Sequence, residues 1–201
     1  DRPEVAGYDL MNEPGGAPSL AEIVAVSDRI YKAIRRQDGR HIVFIEDGFK
    51  GLDKMPLPAE KGWENVAYSF HHYPFGKRTA EGQEEHLRWL EGFRAEQSRL
   101  GVPLFVGEFS AVEHSTGGFG IYRRFIEVHR RHGWSWCLFT WKRPMTGPNP
   151  DIWGVVNQPK GGRWEPFGVL TESFDRVKSG FESMHSRNFE MSEDMKSFIA
   201  G

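Results

Sequence analysis

The chain has a single cysteine, Cys137, so it can form no internal disulfide and no cysteine-based zinc cluster. No apolar run reaches the roughly 18 residues a membrane-spanning helix needs, and the opening residues Asp1-Arg2-Pro3-Glu4 do not read as a signal peptide. Charge of one sign is also missing. Lys and Arg total 26 against 28 Asp and Glu, a formal net charge of −2, which gives no electrostatic reason to expect nucleic acid or an anionic membrane as partner. A neutral substrate is the simpler expectation. Internal repeats and low-complexity tracts are absent, which sets aside repeat architectures.

Aromatic side chains are plentiful: 13% of residues, including seven tryptophans. Such rings stack on flat ligand faces, and they also fill cores. Hydrophobic residues make up 38% of the chain, enough for one sizeable core, so residues 1–201 are read as a single domain with no structure assigned to the tail at 186–201.

Short apolar runs alternate with longer amphipathic ones, the pattern of β/α units around a parallel sheet. Five strands are predicted: Val5 to Met11, His41 to Glu46, Val66 to His71, Pro103 to Gly107 and Trp134 to Trp141. A helix with Ser19 and Glu22 as capping box carries the stripe Ile23, Val26, Ile30 and Ile34 and stops near Gly39. Three more helices follow, from Glu81 to Gly101, from Phe119 to His132 and from Phe174 to Met184, with one turn at most between Asp47 and Asn65. Residues 143–168, rich in Gly and Pro, read as one long loop. Five strands do not close an eight-stranded barrel, and 201 residues fall short of the roughly 250 typical of one. The fold class is therefore α/β, a (β/α)8 TIM-barrel type present as a partial barrel of about five units without the first three strands. Its open sheet edges are candidates for self-association.

Two carboxylates stand at strand ends, Glu13 in Asn12-Glu13-Pro14 and Glu108 in Gly107-Glu108-Phe109. In barrel enzymes the C-terminal strand ends carry the site. The pair lies 95 residues apart (108 − 13), three β/α units of about 30 residues each, which puts the two strands across the mouth of a barrel. That geometry suits a glycosidic bond, whose hydrolysis with retention needs two carboxyl groups about 5 to 5.5 Å apart. Taken singly, a Glu at a strand end is usually an exposed loop residue; two of them, each within its own motif, reverse that balance.

The motifs Tyr8-Asp9-Leu10-Met11-Asn12-Glu13-Pro14, His71-His72-Tyr73, Val106-Gly107-Glu108-Phe109 and Trp134 to Lys142 resemble, in order and spacing, the fourth, sixth, seventh and eighth strand ends of glycoside hydrolase family 5, the cellulase family. The resemblance implies a retaining hydrolase of β-glycans, an endo-β-1,4-glucanase above all, that needs neither metal nor organic cofactor. It assigns Glu13 as acid/base, Glu108 as nucleophile and Asn12 as a partner of the sugar 2-hydroxyl. His71 would bind sugar, and the Tyr73 hydroxyl would hold the nucleophile. Either Phe139 or Trp141 would be the sugar platform, with Trp141 preferred by residue type. A secreted or periplasmic location goes with the resemblance. The Arg expected on the third strand has no counterpart in this sequence.

Elsewhere the blander readings prevail. His72 is expected to point away from the site, and His129 and His132, three apart on a helix, read as a solvated face rather than a metal pair. Trp153 and Trp164 are candidates for further platforms or for pins that hold the long loop. Glu46 and Asp47 end a strand on the active face without an assigned role.

Overall fold

The computed structural model of the chain describes residues 2–77, 79–111, 118–143, 153–156, 158–161, 164–191 and 193–200. Residues 144–152, 157, 162 and 163 of the predicted long loop lie outside this set. The chain divides into two compact units. One takes in Asp1–His72, Glu85–Phe109 and Ile126–Cys137; the other takes in Tyr73–Glu84, Ser110–Phe125 and Leu138–Gly201.

The first unit is built on five parallel strands in sequence order: β1 (Gly7–Asp9), β2 (Ile42–Glu46), β3 (Val66–His72), β4 (Leu104–Phe109) and β5 (Ser135–Trp136). Parallel neighbours need crossover connections, which the intervening helices supply. The rings of Phe44 on β2 and Phe105 on β4 meet at 4.8 Å although β3 runs between them, so the sheet curls with this face concave, as a partial barrel requires. On the opposite face Val43, Ile45, Tyr68 and Val106 are fully buried. All seven residues of β3 are buried, which explains its near-continuous apolar sequence.

Two strands are shorter than the sequence predicts. β1 is confined to three residues. β5 stops at Trp136, because after the Cys137 N–H bonds to the Val106 carbonyl the chain leaves the sheet. From Thr140 onward its backbone bonds instead to residues 153–156.

The helix α1 (Leu20–Arg35) begins at Ser19, whose Oγ accepts the Glu22 N–H at 3.3 Å. An Ala there would cost about 1 kcal/mol. Its buried side is Ile23, Val24, Ser27 and Tyr31, whereas Val26 is 42% exposed, so the predicted stripe is rotated toward a neighbouring edge of the helix. The Arg35 guanidinium donates to the carbonyls of Asp38, His41, Glu64 and Asn65, tying the start of β2 to that of β3. A 3-10 turn at Leu52–Lys54 and the short α2 (Pro58–Lys61) occupy the segment where one turn was expected. The longer helices are α3 (Ala80–Leu100) and α4 (Gly118–His132).

Behind the sheet lies a chain of three buried imidazoles. His72 Nδ1 meets His86 Nε2 at 3.1 Å, and His72 Nε2 meets His129 Nε2 at 3.0 Å. The expectation that His129 faces solvent is thus overturned: it is fully buried, because this side of α4 packs on the outer face of β3 and β4, where its ring meets Phe109 edge-on at 4.9 Å. His72 points away from the concave face, as its parity predicts.

Burial holds His72 and His129 neutral. It pushes His72 well below the usual histidine range, with the charges of His129, His86 and His71 adding to the effect, and it lowers His129 to about 3, with His132 contributing. Since an unfolded histidine protonates near pH 6.5, the unfolded state binds more protons below that value, and the stability present above it is lost as the pH falls toward the folded values. We expect acid to lower the melting temperature from about pH 6.5 downward. We also expect His129→Leu to lose about 1–3 kcal/mol at pH 7.5, by removing the hydrogen bond that His129 makes with His72 Nε2, while flattening the acid slope in thermal melts across pH 4–7.5.

In the second unit α5 (Phe174–Ser183) is capped by Ser173 Oγ, which accepts the Arg176 N–H. The tail is structured: β7 (Phe189–Glu190) pairs antiparallel with β6 (Gln158–Pro159), and α6 (Glu193–Ala200) sets Phe198 against Phe119 and Tyr122. Trp164 Nε1 donates to Ser183 Oγ of α5 at 3.0 Å. The Lys142 ammonium bonds the Met184 carbonyl and lies 5.6 Å over the Phe189 ring. Among the described residues no helix is long and apolar enough to cross a membrane.

Candidate active site

Four strand ends of the first unit converge on one imidazole. His71, from the end of β3, is 5% exposed, and its Nδ1 lies 2.9 Å from Glu13 Oε1, 3.6 Å from Glu108 Oε2 and 4.0 Å from Glu46 Oε1. One atom from each of Glu13, His71 and Glu108 lies within 4.8 Å of the other two. Such a trio has the donor types of a small cation site. Here His71 Nδ1 and Glu13 Oε1 lie at hydrogen-bond distance, 2.9 Å, so a proton is shared along that line. The arrangement is better suited to moving protons between an imidazole and two carboxyls.

Local irregularities aim these side chains. Glu13 directly precedes a 3-10 turn at Pro14–Gly16 and sits in the left-handed region (φ 45°, ψ 59°), which costs a side-chain-bearing residue about 1–3 kcal/mol. Its N–H donates to Glu46 Oε2 at 2.8 Å. Glu108 reaches the concave face by a different device. β3 and β4 pair Tyr68 with Leu104, Ser69 with Phe105 and Phe70 with Val106, and then the register slips so that His71 faces Glu108. Gly107 is the extra residue. In an unslipped register Gly107 would face His71, and Glu108 would pair with His72 and point at the helices, because a one-residue slip turns a strand's side chains to the other face.

Gly107 also makes room, since a Cβ there would fall 2.7 Å from His71 Nε2 and 2.8 Å from Ser69 Oγ. We expect Gly107→Ala to destabilise by about 1–3 kcal/mol through overpacking and to displace the His71 ring, lowering turnover as well as the melting temperature; unchanged kinetics beside a reduced melting temperature would mean that the ring had not moved.

Asn12 is exposed on the same strand-end turn as Glu13. Tyr73, Phe139 and Trp141 belong to the second unit. There Tyr73 lies 5.3 Å from Phe75 and 5.4 Å from Trp153, with Phe75 6.0 Å from Trp153. Phe139 meets Trp153 edge-on at 6.2 Å, and Arg143 sits over that indole at 5.6 Å. Trp153, a weak candidate from sequence, is thus the hub of this group. Phe139 and Trp141 are 40% and 62% exposed, and because the strand ends before them, strand alternation no longer relates their directions.

Sequence reasoning left Glu46 without a role. It is 3% exposed, and burial pushes its carboxyl up to about 7 against the opposing pull of the Glu13 N–H and of His71. The signal was present as a carboxylate at a strand end on the active face, but nothing in the chain's spacing showed that it would lie under Glu13.

Parallel strands in β/α succession, with acid side chains at their C-terminal ends, define this chain as a partial (β/α) barrel with a close pair of carboxyls at its strand ends. It belongs to glycosyl hydrolase family 5, the cellulase family, whose model matches residues 1–144. It is similar to a β-xylosidase of Phanerodontia chrysosporium, 29% identical over 164 residues that make up 71% of this chain and 34% of that protein, so the chain spans about a third of that relative's length. Among solved structures it resembles endo-glycoceramidase II from Rhodococcus sp. in a cellobiose-like imidazole complex (TM-score 0.59, 23% identity, 79% of this chain and 38% of that one). It also resembles Thermotoga maritima Cel5A in complex with cellobiose (TM-score 0.60, 16% identity, 87% and 58%). These likenesses carry the barrel fold.

Proposed function

We propose that the protein is a retaining glycoside hydrolase of β-glycans, with Glu108 as nucleophile and Glu13 as acid/base. The observation that supports this reading is the placement of oxygens from both carboxyls within 4.8 Å of each other, with His71 beside both. Retaining enzymes hold their carboxyls about 5 to 5.5 Å apart, whereas inverting ones leave about 6.5 to 9.5 Å for a water. The double displacement asks one carboxyl to supply a proton while the other attacks. Glu108 bonds to the anomeric carbon as Glu13 protonates the departing oxygen. With the Glu108 charge consumed in the ester, Glu13 is left as the base that takes a proton from water. In this reading Asn12 is the partner of the sugar 2-hydroxyl, the Tyr73 hydroxyl holds the nucleophile, and Phe139 or Trp141 is the sugar platform.

A β-1,4-glucan is the proposed substrate, with a xyloside as a second specificity favoured by the β-xylosidase relative. Activity on carboxymethyl cellulose, mannan, aryl β-xyloside and a glucolipid, combined with NMR of the first-formed anomer, tests both points. A β product from a β substrate is expected, and an α product at early times overturns the double displacement.

A further inference from the structure

The acid/base reading of Glu13 leaves one question of geometry: what keeps that residue in a conformation that side-chain-bearing residues rarely adopt. Its carbonyl accepts the Gly15 N–H at 2.7 Å within the 3-10 turn, and its own N–H is held by Glu46 Oε2 at 2.8 Å, 33 residues away in sequence. Glu46 is the last residue of β2, on the strand next to β1, so its backbone is fixed by the sheet and its carboxyl reaches under the turn. The second oxygen, Oε1, is buried without a hydrogen-bond partner among the described residues and lies 4.0 Å from His71 Nδ1. A buried carboxyl oxygen left in this state is costly for stability alone. A neutral acceptor would satisfy the Glu13 amide equally well, so a carboxyl at this position points to a part in the reaction.

We propose that Glu46 is a positioning residue: its buried carboxyl, bonded to the Glu13 amide and facing the His71 imidazole, holds Glu13 in the left-handed conformation from which its side chain meets His71 and the Glu108 carboxyl. The inference rests on the reading of Glu13 as acid/base. The titratable groups facing Glu46 are Glu13, His71, Asp47 and Asp9, and its own proton exchanges near pH 7. Above that pH the wild type carries a negative charge beside the acid pair that a glutamine cannot supply. The alkaline limb of the pH profile should therefore move acidward in Glu46→Gln.

The test uses protein expressed from its full coding sequence, with Glu46→Gln and Glu46→Ala compared on two β-glycosides. One has a dinitrophenolate leaving group that departs without a proton; the other has an unactivated sugar leaving group. Glu46→Ala should lower kcat/KM, which reports formation of the glycosyl-enzyme, by roughly tenfold to a hundredfold on the unactivated glycoside, part of what general acid catalysis contributes, and lower it less than about threefold on the activated one. Glu46→Gln, which keeps an oxygen for the amide, should stay within about threefold of wild type at the optimum while its alkaline limb moves acidward by at least about half a pH unit. Equal losses on both substrates, or an unmoved limb in the glutamine variant, would overturn the proposal in favour of a merely structural role.

A crystal structure of Glu46→Gln or Glu46→Ala decides the geometric part whether or not turnover is seen. In the alanine variant Glu13 should leave the left-handed region and its contact with His71; in the glutamine variant it should stay. Glu13 unmoved in the alanine variant refutes the proposal. Turnover retained in Glu108→Gln would instead sink the acid-pair reading and leave that structural result standing.

Discussion

Glu108→Gln is expected to abolish turnover, with a loss of at least about a thousandfold in kcat on every substrate, because a neutral amide cannot attack the anomeric carbon or leave as a carboxylate. The fold should hardly notice. Glu108 is part-exposed at a strand end, and its backbone pairing with His71 does not depend on the side chain's charge. Stopped-flow and steady-state rates on an aryl β-glycoside, beside thermal melts, measure both quantities. A variant that folds and still turns over within tenfold of wild type would remove Glu108 from the role of nucleophile.

Glu13→Ala should separate the two half-reactions. With no acid to protonate the leaving oxygen, glycosides of poor leaving groups are expected to lose about a hundredfold to ten-thousandfold in rate. A dinitrophenyl glycoside should still form the glycosyl-enzyme, then stall because no base activates water. Burst kinetics with a slow steady state is the expected signature, and added azide, a nucleophile that needs no base, should restore turnover and yield a β-glycosyl azide. Equal loss on both leaving groups, without a burst, would count against Glu13 as the acid.

The elements of the first unit that were legible in the sequence are those set by local pattern. The capping box at Ser19 marked the start of α1, and the apolar run Val66 to His71 marked a strand covered on both faces. The apolar stripe of α1 was misplaced by part of a turn, because two adjacent faces of that helix carry aliphatic residues and only packing selects Ile23, Val24 and Tyr31 over Val26. His129, three from His132 on α4, was likewise read as part of a solvated face, whereas packing against Phe109 buries its ring fully. The predicted eighth-strand reach to Trp141 failed because strand length depends on where hydrogen-bond partners are, and from Thr140 onward those are residues 153–156.

The sequence by itself determined the order of β/α units, the family, and the identity of Glu13, His71 and Glu108 as candidates, since periodicity, caps and short motifs are properties of neighbouring residues. Tertiary structure alone decided that Gly107 is an extra residue in the β3–β4 register that turns Glu108 onto the concave face, and that Glu46 closes on the Glu13 amide from another strand. Both depend on how strands pair and curl across tens of residues, and a register slip of one residue leaves no trace in local pattern while reversing where a carboxylate points.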